Sequence, residues 1–235
     1  MTLAPATRAA LMGVTTATLT TVLLKKGVRF CYIAGSRPLV PGTNRRIVGP
    51  AFTLRFTPTR EDLATVDSWS SPRSTRAAIE EMPAGCVAVA DTMANTAAGI
   101  FGDILCARMA KKGVSGLVTD GMVRDGAGVI GTRLPVFCQG AVAPASVAAL
   151  NFVGWQETIG CGGVTVVPGD IVVADDDGAV VIPAALLDAV AEAAVEQEKL
   201  EAWIMTEVEK GVKLPGLYPP NAETKARYEA ETRKN

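Results

Sequence analysis

Apolar positions recur at helical spacing near both ends of the chain and fall into short alternating or continuous blocks between them, the layout of helices flanking a sheet. Residues 5–26 fit a helix, closed by Lys25, Lys26 and Gly27, the cations and glycine that stop one. Residues 30–33 and 47–56 read as strands, the second alternating Phe52, Leu54 and Phe56 with Thr53 and Arg55. A helix around Ala77, Ala78 and Ile79 stops before Pro83. Residues 86–90 are too few for a helix and too apolar for an exposed strand, so they predict a strand covered on both faces. A helix over 103–112, closed by Gly113, and a buried strand over 116–119 complete a strand-helix-strand crossover. Residues 134–138 form a fourth inner strand. Residues 161–182 alternate β-branched blocks with two tight turns, which predicts a meander.

From Pro183 onward, Leu186, Leu187, Val190, Ala194, Leu200, Trp203, Ile204 and Val208 recur about every three or four residues, predicting one long amphipathic helix to Lys210-Gly211. The pattern therefore predicts an α/β domain over residues 1–212 and a tail over 213–235 that packs on a neighbouring subunit or stays mobile.

Composition narrows the function classes. The 235 residues are 49% hydrophobic, enough for a sizeable single core, and 23 Lys and Arg balance 24 Asp and Glu for a net charge of -1. Without a basic stripe to neutralise phosphates, no nucleic-acid partner is expected. Threonines interrupt the apolar positions between Leu11 and Leu24, and no run approaches a membrane span of roughly 20 residues, so no signal segment and no membrane association are expected. Five widely spaced cysteines, Cys31, Cys86, Cys106, Cys138 and Cys161, read as reduced buried thiols and point to a cytoplasmic setting. The absence of histidine excludes Ser/His and Cys/His nucleophile systems, His-ligated zinc and histidine bases.

Chemistry is left mainly to carboxylates and guanidiniums. Gly99 to Leu105 places glycines before a helix start, where an anion can approach unpaired N-H groups, although Asp103 there serves equally well as a first-turn acid. Arg124-Asp125 follows a buried strand, at the strand-end position where ligands collect in α/β sheets. The arginine suits a carboxylate or 2-oxo acid and the aspartate suits Mg2+ or Mn2+, but such a pair is also a common surface ion pair. Asp120-Gly121 reads as a turn. Asp175-Asp176-Asp177-Gly178 lacks the ligand spacing of a calcium loop and reads as a hairpin turn.

Taken together, Gly102-Asp103-Ile104-Leu105, the Arg124-Asp125 pair twenty residues beyond Asp103, Cys161 to Asp170, and Ala174 to Gly178 resemble the RraA-like family across residues 10–210. The likeness is to its enzymatic branch, the class II 4-hydroxy-4-methyl-2-oxoglutarate/4-carboxy-4-hydroxy-2-oxoadipate aldolases. The resemblance implies an α-β-β-α sandwich, a homotrimer or homohexamer with clefts between subunits, and a divalent cation, Mg2+ or Mn2+. It implies further that Asp125 ligates the metal, Arg124 binds the pyruvate unit, Asp103 holds metal-bound water, and the backbone of Gly102, Asp103, Ile104 and Leu105 receives the carboxylate of a small 2-oxo acid. Regulators of ribonuclease activity in this family tend to lack the aspartate found here at 125. The implied activity is cleavage of a 4-hydroxy-2-oxo acid to pyruvate, with oxaloacetate decarboxylation alongside. The alternatives are a non-catalytic ribonuclease regulator and a metal-dependent dehydratase of a sugar-derived 2-oxo acid. Residues 29–74 and 214–235 elaborate the family core. The acid that a neighbouring subunit supplies in these aldolases has no clear match, with Glu196, Glu198 and Glu201 on the last helix as candidates.

Overall fold

A computed structural model describes residues 3–43 and 45–232. Its helices are α1 (Pro5–Met12), α2 (Thr16–Lys25), α3 (Thr75–Glu81), α4 (Asp103–Lys111), α5 (Gly126–Gly131), α6 (Leu187–Glu209) and α7 (Ala222–Thr232). Its strands are β1 (Tyr32–Ile33), β2 (Arg37–Pro38), β3 (Ile47–Pro58), β4 (Val87–Asp91), β5 (Gly116–Thr119), β6 (Met122–Val123), β7 (Val136–Cys138), β8 (Gly140–Ala141), β9 (Leu150–Trp155), β10 (Ile171–Asp175) and β11 (Gly178–Ile182).

Strand order is β1-β11-β10-β3-β4-β5-β7-β2, with β9 also paired to β3 and β6 paired separately to β8. The β3-β4-β5-β7 run is parallel, as the α3, α4 and α5 crossovers require. The 12-residue β3 belongs to two sheets, pairing antiparallel with β10 through Ile47–Pro50 and parallel with β4 through Ala51–Arg55.

Side-chain alternation sorts the molecule into four layers. Val87 and Val89 of β4 meet Val172 and Ala174 of β10 in a core between the two sheets. Their neighbours Ala88 and Ala90 point the other way, onto Ile79, Cys106 and Met109 of α3 and α4. On the opposite outer face, Ile171 and Val173 pack against Leu19 and Leu23 of α2 and Val190 and Ala194 of α6. This is the expected α-β-β-α arrangement, and each strand buried on both faces carries the continuous apolar run that the sequence shows.

Three local expectations change. The helix expected over 5–26 is two helices bent by 108°, because Gly13 ends α1 and the Thr15 side chain caps α2 by accepting from the Thr18 amide at 3.1 Å. Among the described residues no single helix is long and apolar enough to cross a membrane. The meander expected over 161–182 is a β10-β11 hairpin preceded by a 3-10 turn at Cys161–Gly163. Left-handed Gly162 (φ 54°) is pinned there, its amide donating to Asp120 and its carbonyl accepting from Ala34, so the following residues make only a single bridge between Val166 and Ile159. Part of the tail is ordered as α7 on the same chain's α6, where Arg227 stacks 4.8 Å from the Trp203 ring and pairs with Glu207. Trp203 in turn donates to Glu231 at 2.9 Å.

Candidate active site

The strand that precedes each crossover helix leads into one shared cleft. Between β4 and α4, residues 99–102 zip onto the end of β6: the Ile100 amide donates to Met122 O at 3.0 Å and the Arg124 amide to Phe101 O at 2.9 Å. The approach requires glycine, since a Cβ on Gly99 would stand 2.5 Å from the Val123 carbonyl carbon. This ladder brings the N-terminus of α4, which starts at Asp103, beside the β6-α5 junction that carries Arg124 and Asp125.

The two aspartates are seated reciprocally. A Cβ at Gly102, which caps α4, would lie 2.6 Å from Asp125 Oδ2, and a Cβ at Gly128 of α5 would lie 2.8 Å from Asp103 Cβ. Each carboxylate thus rests over a glycine of the other's helix start. Asp125 itself adopts a left-handed conformation (φ 53°, ψ 45°), which turns the chain sharply into α5 and presents its side chain to the cleft. Arg124 Nε donates to Asp125 Oδ2 at 3.2 Å, and both side chains stay partly open to solvent.

All six predicted residues, Gly102, Asp103, Ile104, Leu105, Arg124 and Asp125, line a cavity of about 220 Å3, which Trp69 and Arg76 also wall. One detail departs from the expected set of free amides: Ile104 N is occupied by Asp103 Oδ1 at 2.7 Å. A hollow of about 230 Å3 behind α5, lined by Leu39, Val129, Leu134 and Phe137, holds no carboxylate.

No group of three or more acidic or cysteine side chains stands ready to hold a metal among the described residues. The cleft offers two carboxylates. That donor set fits a hard divalent cation such as Mg2+, which is commonly held by one or two carboxylates while water and substrate oxygens fill its remaining positions.

Asp120 has a larger structural part than its turn-like sequence indicated. Buried at the end of β5, it accepts from Thr92 N and Thr92 Oγ1 through Oδ1, and from Ala94 N and Gly162 N through Oδ2. It ties three loops together. Its four bonds saturate an otherwise costly buried charge. On α6, Glu198 accepts from Thr15 N and Thr15 Oγ1, Glu196 pairs with Lys199, and Glu201 accepts from Gln197. Burial alone would raise the Glu198 carboxyl, but the Thr15 and Thr18 hydrogen bonds and the charge of Arg46 lower it overall.

Residues 16–181 match the sequence profile described as RraA-like, Aldolase/RraA. The chain belongs to the RraA-like family. Protein DlpA of Legionella pneumophila is 30% identical over 175 residues, covering 74% of this chain and 27% of its own length. A Halalkalibacterium halodurans protein bearing the name "Putative 4-hydroxy-4-methyl-2-oxoglutarate aldolase" is 32% identical over 140 residues, 60% of this chain and 61% of that one. The chain thus spans less than two thirds of either relative. Similar solved RraA-like folds include Streptomyces coelicolor RraAS2, described as an unusual member of the RNase ES inhibitor RraA protein family (33% identity, TM-score 0.77, covering 86% of this chain and 97% of that one). An uncharacterized protein from Pseudomonas syringae pv. tomato has a TM-score of 0.81 at 26% identity, over 94% of this chain and 96% of that one.

Proposed function

We propose that this chain is a divalent-metal-dependent class II aldolase that cleaves a 4-hydroxy-2-oxo acid into pyruvate and a second carbonyl compound. The observation that carries the reading is the reciprocal seating of Asp103 and Asp125, with Arg124 bonded to Asp125 inside the same cleft. The aldolase name of the Halalkalibacterium relative adds support.

Asp125, with Asp103 beside it, would hold the cation, which when bound supplies Lewis-acid stabilisation of oxygen charge. Arg124 grips the substrate carboxylate and faces the negative charge that develops on the 2-oxo oxygen. A guanidinium fixed in advance meets that charge without reorganising. Asp103 takes the 4-hydroxyl proton through a water. The O-H electron pair becomes the new carbonyl, the C3-C4 pair passes to the pyruvate half, and a proton returned to C3 releases pyruvate. Oxaloacetate losing carbon dioxide leaves the same three-carbon anion, so decarboxylation accompanies cleavage. The working assembly is a homotrimer or homohexamer.

A second reading, a non-catalytic regulator of a ribonuclease, draws on the likeness to RraAS2. Purified protein incubated with Mg2+ or Mn2+, a panel of 4-hydroxy-2-oxo acids and oxaloacetate separates the two. Pyruvate release that chelator abolishes is the expected outcome. Silence across the panel, with ribonuclease binding intact in Asp125→Asn, would favour the regulator. Dehydration of a sugar-derived 2-oxo acid would show as a product with its carbon skeleton whole.

A further inference from the structure

The hollow behind α5 joins an apolar body to positive charge that has no carboxylate partner. Leu134 and Phe137 in its wall are buried, while Val40 (38% exposed) and Ile130 (48% exposed) offer apolar surface that an occupant would cover. Arg45 and Arg133 also line it. Arg45 Nη1 donates to the Arg133 carbonyl at 3.0 Å, which fixes that guanidinium beside the hollow while engaging one of the several N-H groups on its fork. The next residue, Arg46, pairs with Asp175 at 3.6 Å, but neither Arg45 nor Arg133 forms an ion pair among the described residues. Arg133 lies just past the end of α5 in the left-handed region (φ 62°), a place that glycine usually takes. A cationic side chain kept there against that preference, next to a second one, suits an anion. Size narrows the choice further. A cavity of about 150 Å3 with similar walls takes a benzene ring, so about 230 Å3 holds one ring and a short arm.

We propose that this hollow is a binding site for a small aromatic monocarboxylate, its ring against Ile130, Leu134 and Phe137 and its carboxylate on Arg45, with Arg133 adding charge. An apolar wall with a few placed polar groups is the usual composition of a small-molecule site. A diacid fits poorly, because its second charge would be buried against leucine and phenylalanine. The lining includes none of Asp103, Arg124 and Asp125, so the site is separate from the cleft and stands whether or not the chain is an aldolase.

The test is calorimetric titration of the full chain, in its native assembly and without added divalent metal, with phenylacetate, its neutral amide phenylacetamide, and acetate. Wild-type protein should bind phenylacetate about tenfold more tightly than phenylacetamide, the effect of one charge-assisted contact, and acetate too weakly to measure. Arg45→Gln should bring phenylacetate to within about twofold of the amide, and Arg45→Lys should fall between because it keeps the charge and loses the fork. Arg45 is exposed, so both variants should fold as the wild type does. Methyl NMR locates the ring: resonances of Val129, Leu134 and Val136 should shift on adding phenylacetate while Ile104, on the wall of the cleft, stays still. Equal affinity for acid and amide, an undiminished preference in Arg45→Gln, or shifts at Ile104 alone overturns the proposal. Silence to all three probes overturns it too, and if Ile130→Glu then splits the oligomer in sedimentation, the hollow is instead covered by a second copy of this chain.

Discussion

The Asp125 carboxylate occupies the space that a side chain at residue 102 would need: its Oδ2 lies 2.6 Å from the position of a Cβ on Gly102. Gly102 has an ordinary extended backbone (φ -108°, ψ -171°), so the requirement for glycine there is steric and owes nothing to conformational strain. Gly102→Ala should push an exposed, flexible carboxylate aside with little effect on thermal stability. Displacement of a group at the reacting centre by an ångström lowers turnover by about 100-fold, and pyruvate release followed beside a circular dichroism melt reads both quantities.

Charge and backbone can be separated at Asp125. Asn tolerates the left-handed conformation at least as well as Asp, so Asp125→Asn removes the charge and keeps the turn into α5. Metal-dependent pyruvate release should fall by at least about 100-fold with the melting temperature held. Asp125→Ala should lose the same activity and also melt earlier, since an alanine held at that φ and ψ costs about 1 kcal/mol. Equal melting of the two variants would contradict the strain argument.

Arg124→Lys tests the carboxylate grip. Lysine keeps the charge but loses the planar fork, so KM for the 2-oxo acid should rise about tenfold while the protein folds normally. Unchanged KM and kcat would remove Arg124 from substrate binding.

Asp120→Ala should be the most damaging substitution for stability. It strands two backbone amides of three loops' worth of contacts at Ala94 and Gly162, and frees both donors of Thr92, in a buried setting. A loss on the order of 3 kcal/mol or more is expected, with Asp120→Asn intermediate because it keeps one acceptor oxygen. Denaturant titration measures the order; a neutral Asp120→Ala would contradict the anchoring role.

The thiols predict behaviour at alkaline pH. Burial pushes Cys86 and Cys138 up to about 11 and Cys106 to about 12, from an ordinary value of 9.0. A raised pKa in the folded state means that stability is complete below pH 9.0 and declines above it, as the unfolded thiols ionise while the native ones stay protonated until about 11 to 12. Melting temperature should therefore fall from pH 9 upward, and Cys106→Ala should flatten the fall. Native protein should resist thiol alkylation at pH 8, consistent with five buried cysteines.

The buried strands were legible because their composition is uniform: Val87 to Ala90 and Ile171 to Ala174 face a core on both sides, and only a fully apolar run satisfies that. Strand β9 was not legible, since its burial is mixed and Asn151 and Gly154 interrupt any alternation. The break at Gly13 lay inside a stretch whose apolar spacing continues through it. The candidate residues of the cleft were visible as types and spacing. Their seats at Gly102 and Gly128 were not, because a glycine that serves a distant side chain looks like any loop glycine. Trp69 escaped notice because it belongs to an irregular segment with no periodic pattern, and Arg76 because an arginine at the start of the short α3 looks like any exposed helix residue.

Strand β3 gives its first four residues to the hairpin sheet and the following ones to the sheet that carries the cleft. A chain cut or permuted near Pro50 would leave each half with an open row of amides and carbonyls, so neither layer has an independent existence. Damage to the hairpin far from Asp125 should consequently be felt at the cleft as lost assembly of the whole fold.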